Sequence, residues 1–378
     1  MPEYTHHIAI LGAGTIGLSM VAMHLRRPDT RVTIYDPRPD FDSQLRSQLP
    51  AFLDPTTTTG VDGSEDPITH LISTSRLVIA PTLAAAVEKA TIIQEQSPEK
   101  TDSKQALWTE VAQYAAANAH LWSSSSGILP SAQAEKCPAE VAERLLVAHP
   151  FNPPHIMPLV EIVPSPVTRS ERVDFVRTYF ENTPGPSKTL PGSSSAAAAA
   201  AVSSELEREE MKGDTGQFVQ HYRPVILRKE IPGFVGNRLA FALLREASYL
   251  VGEGVVSARD LDSIVTSSLG PRWAGSGIFE SYHAGGGEGG IGAFLQKLAP
   301  TVQGVWGQLG QVDILTEAER QQAGVDGNVL EKEKEKLKWR AEVVRQTEEA
   351  YGPSTTAETR AKKEAMLRNV LALQKEQC

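Results

Sequence analysis

Residues 8–17, near the start of the chain, read Ile8-Ala9-Ile10-Leu11-Gly12-Ala13-Gly14-Thr15-Ile16-Gly17. Four consecutive apolar residues are typical of a parallel strand that is covered on both faces. The segment after the glycines has apolar residues at helical spacing, and Val32-Thr33-Ile34-Tyr35 is a second apolar run. The pattern predicts a strand–helix–strand unit of a parallel sheet.

The three glycines of this stretch have the spacing of a dinucleotide-binding turn. Gly12 permits the tight turn, and Gly14 lets the backbone approach a pyrophosphate without an intervening Cβ atom. Gly17 lets the helix pack closely on the strand. The N-terminus of that helix, at Thr15 and Ile16, would face the phosphate charge. Packing glycines alone can produce the same spacing, so a purely structural turn is the alternative.

An acidic residue supports the dinucleotide interpretation. Asp36 ends the second strand, where a carboxylate can accept hydrogen bonds from both ribose hydroxyls of the adenosine. The same carboxylate would repel the 2′-phosphate of NADP, and Arg38 close by weakens that effect slightly. We therefore expect NAD as the cofactor.

Bulk composition excludes several classes of protein. A formal net charge of −9 over 378 residues argues against a nucleic-acid partner, which needs a basic face. Two cysteines are too few for a disulfide framework, and no stretch approaches the ~18 apolar residues of a membrane-spanning helix. The first strand also begins too early to leave room for a signal peptide. We expect a cytoplasmic protein with no membrane partner and no metal site.

The stretch richest in chemistry is His149-Pro150-Phe151-Asn152-Pro153-Pro154, with Glu161 following in the next apolar run. A hydroxyl cannot readily lose hydride while it keeps its proton, and histidine is the side chain whose unperturbed pKa suits a base near neutrality. A carboxylate can hold the other imidazole nitrogen and stabilise the charged ring. Spacing alone leaves open that His149 is a loop histidine and that Glu161 points outwards.

Three motifs together resemble the 3-hydroxyacyl-CoA dehydrogenase family. They are the glycine turn, the His149 motif with Glu161, and Pro232-Gly233-Phe234-Val235-Gly236-Asn237-Arg238-Leu239, and they occur in the order typical of the family over roughly Ile8 to Pro300. The resemblance implies an α/β N-terminal domain of the Rossmann type, followed by an all-α C-terminal domain that commonly forms a homodimer. It also implies that His149 is the general base and that Glu161 orients it.

The same resemblance implies roles for three further residues. Asn237 would hold the substrate oxygen or the catalytic loop. Ser126, within Ser123-Ser124-Ser125-Ser126-Gly127, matches a hydroxyl donor to substrate, although the run of serines leaves the register open by one residue. Glu95 matches a cofactor-binding position near the nicotinamide.

The pattern and the resemblance together predict the domain boundaries. We expect the NAD-binding domain over residues 1–230, with a low-complexity insertion without catalytic content at about 186–221. The helical domain would cover 231–378 and serve substrate binding and dimerisation. Its first helix, from Phe234 to Val251, is mostly apolar and is expected to be buried on most sides. A charged tail begins at about residue 331.

The substrate is suggested by Leu269-Gly270-Pro271-Arg272-Trp273-Ala274, which resembles the branch with L-gulonate 3-dehydrogenase, lambda-crystallin and L-carnitine dehydrogenase. There Arg272 would bind a substrate carboxylate, because a guanidinium pairs bidentately with a free acid and finds no such partner in a thioester. A surface or interdomain arginine packed on Trp273 is the alternative. The segment from Tyr282 to Gly290 is similar to carnitine dehydrogenases, whereas residues 337–340 are similar to the gulonate type.

We therefore expect an NAD-dependent enzyme that oxidises the 3-hydroxyl of a small L-3-hydroxyacid, gulonate-like or carnitine-like, to a 3-keto acid. Two alternatives stay open. One is a short-chain 3-hydroxyacyl-CoA dehydrogenase of fatty-acid metabolism. The other is an NAD-binding protein without significant catalysis, of the kind found in lens crystallin.

Overall fold

The computed structural model describes residues 4–54, 57, 66–185, 221–315, 319–320, 322 and 338–374. The predicted insertion, apart from its last residue, lies outside this range, as does the start of the charged tail. The chain divides into two compact units, Met1–Asn237 and Arg238–Cys378.

The first unit contains an eight-stranded sheet with the order β3-β2-β1-β4-β5-β6-β7-β8. The strands are β1 (His6–Leu11), β2 (Thr30–Tyr35), β3 (Leu77–Ile79), β4 (Ile92–Glu95), β5 (His120–Ser123), β6 (Leu145–Pro150), β7 (Leu159–Pro164) and β8 (Arg223–Ile226). Of the strand pairs in this sheet, β6 with β7 is antiparallel and the others are parallel. The order reverses between β1 and β4, which is where open α/β sheets bind their ligands. This topology confirms the predicted Rossmann-type domain.

Helices cover both faces of the sheet. They are α1 (Thr15–His24), α2 (Phe41–Gln48), α3 (Pro67–Ser73), α4 (Leu83–Val87), α5 (Thr101–Tyr114), α6 (Pro130–Ala134), α7 (Ala139–Ala142) and α8 (Ser170–Glu181). Ile8 and Ile10 of β1 belong to the core that includes α1 and α8, whereas Ala9 and Leu11 belong to the core that includes α4 and α5. Successive strand residues point to opposite faces, so a strand buried on both faces needs the continuous apolar run seen here.

The described part of the second unit is helical, which confirms the predicted all-α domain. Its helices are α9 (Gly236–Gly252), which begins one residue before Asn237, α10 (Ala258–Ile264), α11 (Gly270–Gly275), α12 (Ile278–Gly285), α13 (Gly290–Trp306), α14 (Lys338–Tyr351) and α15 (Ala357–Leu373). A π-helical turn, Val265–Leu269, joins α10 to α11. No helix in the described ranges has the length and apolar character needed to cross a membrane.

The expectation that the first helix of this unit is buried on most sides is wrong. Leu239, Phe241 and Leu244 of α9 are 56%, 60% and 52% exposed, and the buried residues of the helix are Ser248 and Val251. The helix is mostly apolar in composition, but the described residues cover only part of its apolar surface.

Candidate active site

The glycine turn between β1 and α1 has the geometry that a dinucleotide needs. Gly12 has φ +102°, and a Cβ atom there would lie 3.0 Å from the carbonyl oxygen of Gln96. A Cβ atom on Gly17 would lie 2.0 Å from the carbonyl oxygen of Gly12, so the helix can approach the turn only without one. A Cβ atom on Gly14 would meet no atom within 4 Å, which leaves the backbone open for a pyrophosphate. The turn therefore fits a dinucleotide, with Thr15 as the first residue of α1 behind it.

Asp36 follows β2 and is tied directly to this turn. Its Oδ2 atom accepts a hydrogen bond of 2.7 Å from the backbone N–H of Ala13. Burial alone would raise the pKa of Asp36, but hydrogen bonds from the Arg38 side chain and from the backbone N–H groups of Ala13 and Arg38 lower it overall. The carboxyl is thus held ionised beside the turn, as the ribose-binding role requires.

His149 and Glu161 form a buried pair. His149 lies near the end of β6 and is directly opposite Glu161 in the antiparallel register with β7. Their Nδ1 and Oε2 atoms are 2.9 Å apart, and the two residues are 5% and 3% exposed. Because the carboxylate accepts the Nδ1 proton, the neutral imidazole carries its lone pair on Nε2. The pair is therefore arranged to take up a proton at Nε2.

The second oxygen of Glu161 explains the motif that precedes α9. Gly233 and Phe234 have φ +74° and +51°, and the turn they form is followed by two backbone N–H groups that donate to Glu161. Val235 N and Gly236 N lie 3.0 and 2.9 Å from Oε1. Burial would raise the pKa of Glu161, but the hydrogen bonds from His149 and from these two N–H groups keep it below its usual range.

The loop that contains Ser126 is held from two sides. The Oε1 atom of Glu99 accepts hydrogen bonds from Ser125 Oγ at 2.5 Å, from Ser126 N at 2.9 Å and from Gly127 N at 3.1 Å. On the other side, the side-chain amide of Asn237 donates to the carbonyl oxygen of Ser126 at 2.8 Å. Of the two roles that the resemblance implied for Asn237, this contact favours holding the loop.

Several of these groups line a cavity of about 370 Å³. Its lining residues are Ile16, Gln96, Ser97, Glu99, Lys104, Ser124, Ser126, His149, Pro150, Phe151, Asn152 and Asn237. The cavity thus brings Ile16 of the glycine turn together with three predicted residues, Ser126, His149 and Asn237. Glu161 lies behind His149 and does not line it.

Glu95 lies beneath the cavity lining rather than in it. It is fully buried, and Lys104 Nζ lies 2.8 Å from its Oε1 and 3.0 Å from its Oε2. The hydroxyls of Ser97 and Ser123 also donate to its carboxylate. Lys104 is itself only 1% exposed and also pairs with Glu99 at 3.4 Å. Ser97 and Lys104, which contact Glu95, line the cavity, whereas Glu95 does not. Contact between Glu95 and the cofactor therefore stays a prediction.

Arg272 belongs to the second unit, where it is exposed on α11. Its predicted contact with a substrate carboxylate stays a prediction.

Comparison with protein families assigns both units. The model "3-hydroxyacyl-CoA dehydrogenase, NAD binding domain" matches residues 7–186, and "3-hydroxyacyl-CoA dehydrogenase, C-terminal domain" matches residues 233–307. A curated 3-hydroxyacyl-CoA dehydrogenase of Gibberella moniliformis is 32% identical over 313 residues, covering 80% of each chain. The chain belongs to the 3-hydroxyacyl-CoA dehydrogenase family. It is an NAD-dependent oxidoreductase of that family.

Other relatives of this dehydrogenase carry a different name. An L-carnitine dehydrogenase of Streptomyces coelicolor is 32% identical over 309 residues, covering 82% of each chain. Among solved structures, a 5-formyl-3-hydroxy-2-methylpyridine 4-carboxylic acid 5-dehydrogenase aligns with a TM-score of 0.63 at 23% identity, covering 98% of this chain and 97% of that one. FadB2 of M. tuberculosis aligns with a TM-score of 0.52 at 19% identity, covering 71% and 79%. At these identities, the two structures show a shared fold.

Several residues that line the cavity of this dehydrogenase were not singled out by the sequence patterns. Lys104 and Glu99 are the charged ones, and Asn152 belongs to the base motif but was given no role there. A lysine early in a helix normally indicates a solvated face. The one signal in the sequence is that Glu95 and Glu99 are close together before α5, and two converging carboxylates need a cation.

Proposed function

We propose that this dehydrogenase oxidises the 3-hydroxyl of a small L-3-hydroxyacid that carries a free carboxylate. The observation that carries the proposal is the buried His149–Glu161 pair at a cavity that also includes Ile16 of the glycine turn. A base held by a carboxylate next to a dinucleotide turn is the arrangement that alcohol oxidation requires.

His149 acts as the general base in this proposal. Its Nε2 atom accepts the hydroxyl proton as the C–H bond of the same carbon breaks, which prevents formation of a protonated carbonyl. Glu161 holds the ring through Nδ1 and stabilises the imidazolium that results. The two N–H donors on its other oxygen keep the carboxylate from rotating away. NAD, when bound, supplies the hydride acceptor.

Ser126 and Asn237 position the substrate in this proposal. Both line the cavity with His149, and the hydrogen bond between them links the serine loop to the start of α9. The Ser126 hydroxyl can then donate a hydrogen bond to the substrate oxygen, while Nε2 of His149 accepts the proton of the substrate hydroxyl. Glu99 contributes by fixing the backbone of that loop.

Arg272 is proposed to bind the substrate carboxylate. It is exposed, and a guanidinium recognises a carboxylate through two parallel hydrogen bonds. Several relatives are named L-carnitine dehydrogenase, and carnitine is a 3-hydroxyacid with a free carboxylate. Those names support a free acid over a CoA thioester and leave the choice between carnitine-like and gulonate-like acids to experiment.

A substrate panel tests this proposal. NADH formation is followed with L-carnitine, L-gulonate, L-3-hydroxybutyrate and 3-hydroxybutyryl-CoA. We expect one of the free acids to give a higher kcat/KM than the thioester. Arg272→Ala should raise the KM for that acid by about 10- to 100-fold, since charge-assisted hydrogen bonds contribute about 1.5–3 kcal/mol. The same exchange at Arg259, also in the second unit, is the control. A thioester that outperforms every acid would contradict the proposal, and no turnover at all would favour the non-catalytic alternative.

A homodimer formed through the second unit is also proposed. In the described part of that unit, the buried hydrophobic side chains are Val251 and Leu371, whereas Phe241, Phe279 and Trp306 are 60%, 78% and 64% exposed. Large apolar side chains left this exposed support an interaction surface on the second unit. For the location of the protein, we propose the cytosol, a reducing compartment, which the low cysteine content supports.

Light scattering after size exclusion should therefore give twice the chain mass of 40.9 kDa. Phe241→Glu should shift the protein towards the single-chain mass, because a charge buried in an apolar interface is strongly unfavourable. Val167→Glu, at a position in the first unit that is 56% exposed, is the matched control and should leave the mass unchanged. A wild-type protein that elutes as one chain would refute the dimer.

A further inference from the structure

Arg38 covers the carboxylate that is expected to bind the cofactor ribose. Its Nε atom donates to Asp36 Oδ1 and its Nη2 atom donates to Oδ2, both at 2.8 Å. The Asp36 side chain is only 5% exposed beneath it, whereas the Arg38 side chain is 42% exposed. The guanidinium therefore lies on the solvent side of the carboxylate.

The hydrogen-bond acceptor capacity of Asp36 is filled by these contacts. A carboxylate offers about four lone-pair sites. The backbone N–H groups of Ala13 and Arg38 occupy two of them, at 2.7 and 3.0 Å, and the Arg38 guanidinium occupies the other two. The backbone donors are fixed by the turn. A ribose that donates its hydroxyls to Asp36 must consequently displace the guanidinium.

The guanidinium is also held from a second direction. Its Nη1 atom donates to Gln44 Oε1 at 3.0 Å, and the amide of Gln44 donates to Asp40 Oδ2 at 2.6 Å. Gln44 lies on α2, so after displacement from Asp36 this contact keeps the positive charge next to the ribose-binding carboxylate.

We propose that Arg38 sets the selectivity of this enzyme between NAD and NADP. It competes with the ribose hydroxyls for Asp36, and it offers a cation to a 2′-phosphate that Asp36 alone would repel. The ratio of the NADP to the NAD dissociation constant is therefore smaller than an uncovered Asp36 would give. Arg38 acts on the cofactor in this way whichever substrate the enzyme oxidises.

The two effects differ in size. An ion pair whose guanidinium is 42% exposed to solvent shifts an equilibrium by less than about tenfold, so its displacement has a small effect on NAD binding. The repulsion between a doubly charged phosphate and an uncompensated carboxylate is a larger effect, because both groups lose solvent in the complex. Removing the guanidinium should therefore change NADP binding more than NAD binding.

The test measures dissociation constants of NAD and NADP by calorimetry for the wild-type protein and Arg38→Gln. We expect the ratio of the NADP to the NAD constant to rise at least about tenfold, with NAD binding unchanged or tighter. Arg46→Gln removes the same charge at a position that is 44% exposed and paired with Asp42 instead of Asp36. That control should keep the ratio within about twofold of the wild-type value. Arg38→Lys keeps the charge without the bidentate contact and should give an intermediate ratio.

Two results would overturn the proposal. An unchanged ratio in Arg38→Gln would show that the guanidinium does not sense the 2′-phosphate. An equal weakening of both dinucleotides would show that Arg38 contacts a part they share, such as the adenine. Asp36→Asn adds a further check, because with Arg38 present it should tighten NADP binding, and Asp36→Asn combined with Arg38→Gln should lose that gain.

Discussion

Replacing His149 by alanine is expected to lower turnover by on the order of 100-fold or more while NAD binding stays unchanged. The reason is geometric: Glu161 holds Nδ1 at 2.9 Å, which leaves Nε2 as the proton acceptor, and His149 is the imidazole among the described residues that line the cavity. Turnover is measured by NADH absorbance with the best acid of the panel, and NAD affinity by calorimetry. The variant should also lose the pH dependence of kcat/KM that a general base imposes.

Two further variants separate proton transfer from support of the cavity. His221→Ala removes an exposed imidazole and should leave turnover unchanged. Glu161→Gln keeps the shape but removes the charge, so turnover should fall and NAD affinity should stay the same. Near-normal turnover in His149→Ala would refute the general-base role, and a parallel loss of NAD binding would indicate a structural one.

The glycine turn could be predicted from sequence because its constraints are local. The contact that excludes a Cβ atom at Gly17 is with Gly12, five positions earlier in the same turn. Asp36 could be placed for a similar reason, since β1 and β2 pair in parallel and bring the end of β2 next to the turn. Local geometry of this kind is carried by residue type and spacing.

The pairing of His149 with Glu161 is only suggested by the sequence, because strand patterns do not fix it. Both β6 and β7 are buried on both faces, so their apolar runs do not alternate and do not reveal which way a side chain points. The pair meets because β7 runs antiparallel to β6, in a sheet whose other described pairs are parallel. That reversal depends on the whole sheet, and no pattern within either strand indicates it.

Lys104 and α9 show two other limits. The burial of Lys104 depends on Glu95 and Glu99, which converge on it only when β4 and α5 have packed together. The apolar composition of α9 could be recognised in the sequence. The composition does not show whether residues of the same chain cover the helix. The burial of Lys104 and the exposure of α9 both depend on contacts between segments that are distant in sequence, which local patterns do not record.

A loss of stability below neutral pH is the second large effect that we expect. His24 is fully buried at the end of α1, where Nδ1 lies 2.7 Å from the hydroxyl of Tyr179 and Nε2 lies 2.7 Å from Gln94 Oε1. Burial lowers the pKa of His24 from 6.5 to about 3, although the hydrogen bond that its ring donates to Gln94 acts in the opposite direction, and Arg27 and His6 lower it further. The imidazole is therefore neutral in the folded protein.

The sign of the effect follows from proton uptake. Above about pH 6.5, folded and unfolded chains both hold a neutral His24, and it contributes no pH dependence. Below that value, the unfolded chain binds a proton that the folded chain refuses until about pH 3. The free energy of unfolding therefore falls by about 1.4 kcal/mol per pH unit, or about 2 kcal/mol between pH 6.5 and 5. The pKa of His120 is also lowered to about 3, mainly by burial, and adds to the same slope.

Urea unfolding at about pH 7.5 and pH 5, at one protein concentration, measures this slope. His24→Gln should be less stable than wild type at the higher pH, because buried hydrogen bonds are lost at a cost of about 1–3 kcal/mol. Its additional loss on acidification should be smaller than that of wild type by about 2 kcal/mol, since the variant has no group at this position to protonate. Carboxylates titrate alike in both proteins, so the difference isolates the imidazole. His221→Gln, at an exposed position, is the control and should leave the pH dependence of stability unchanged. A pH dependence of His24→Gln equal to that of wild type would show that His24 accepts its proton without unfolding the chain.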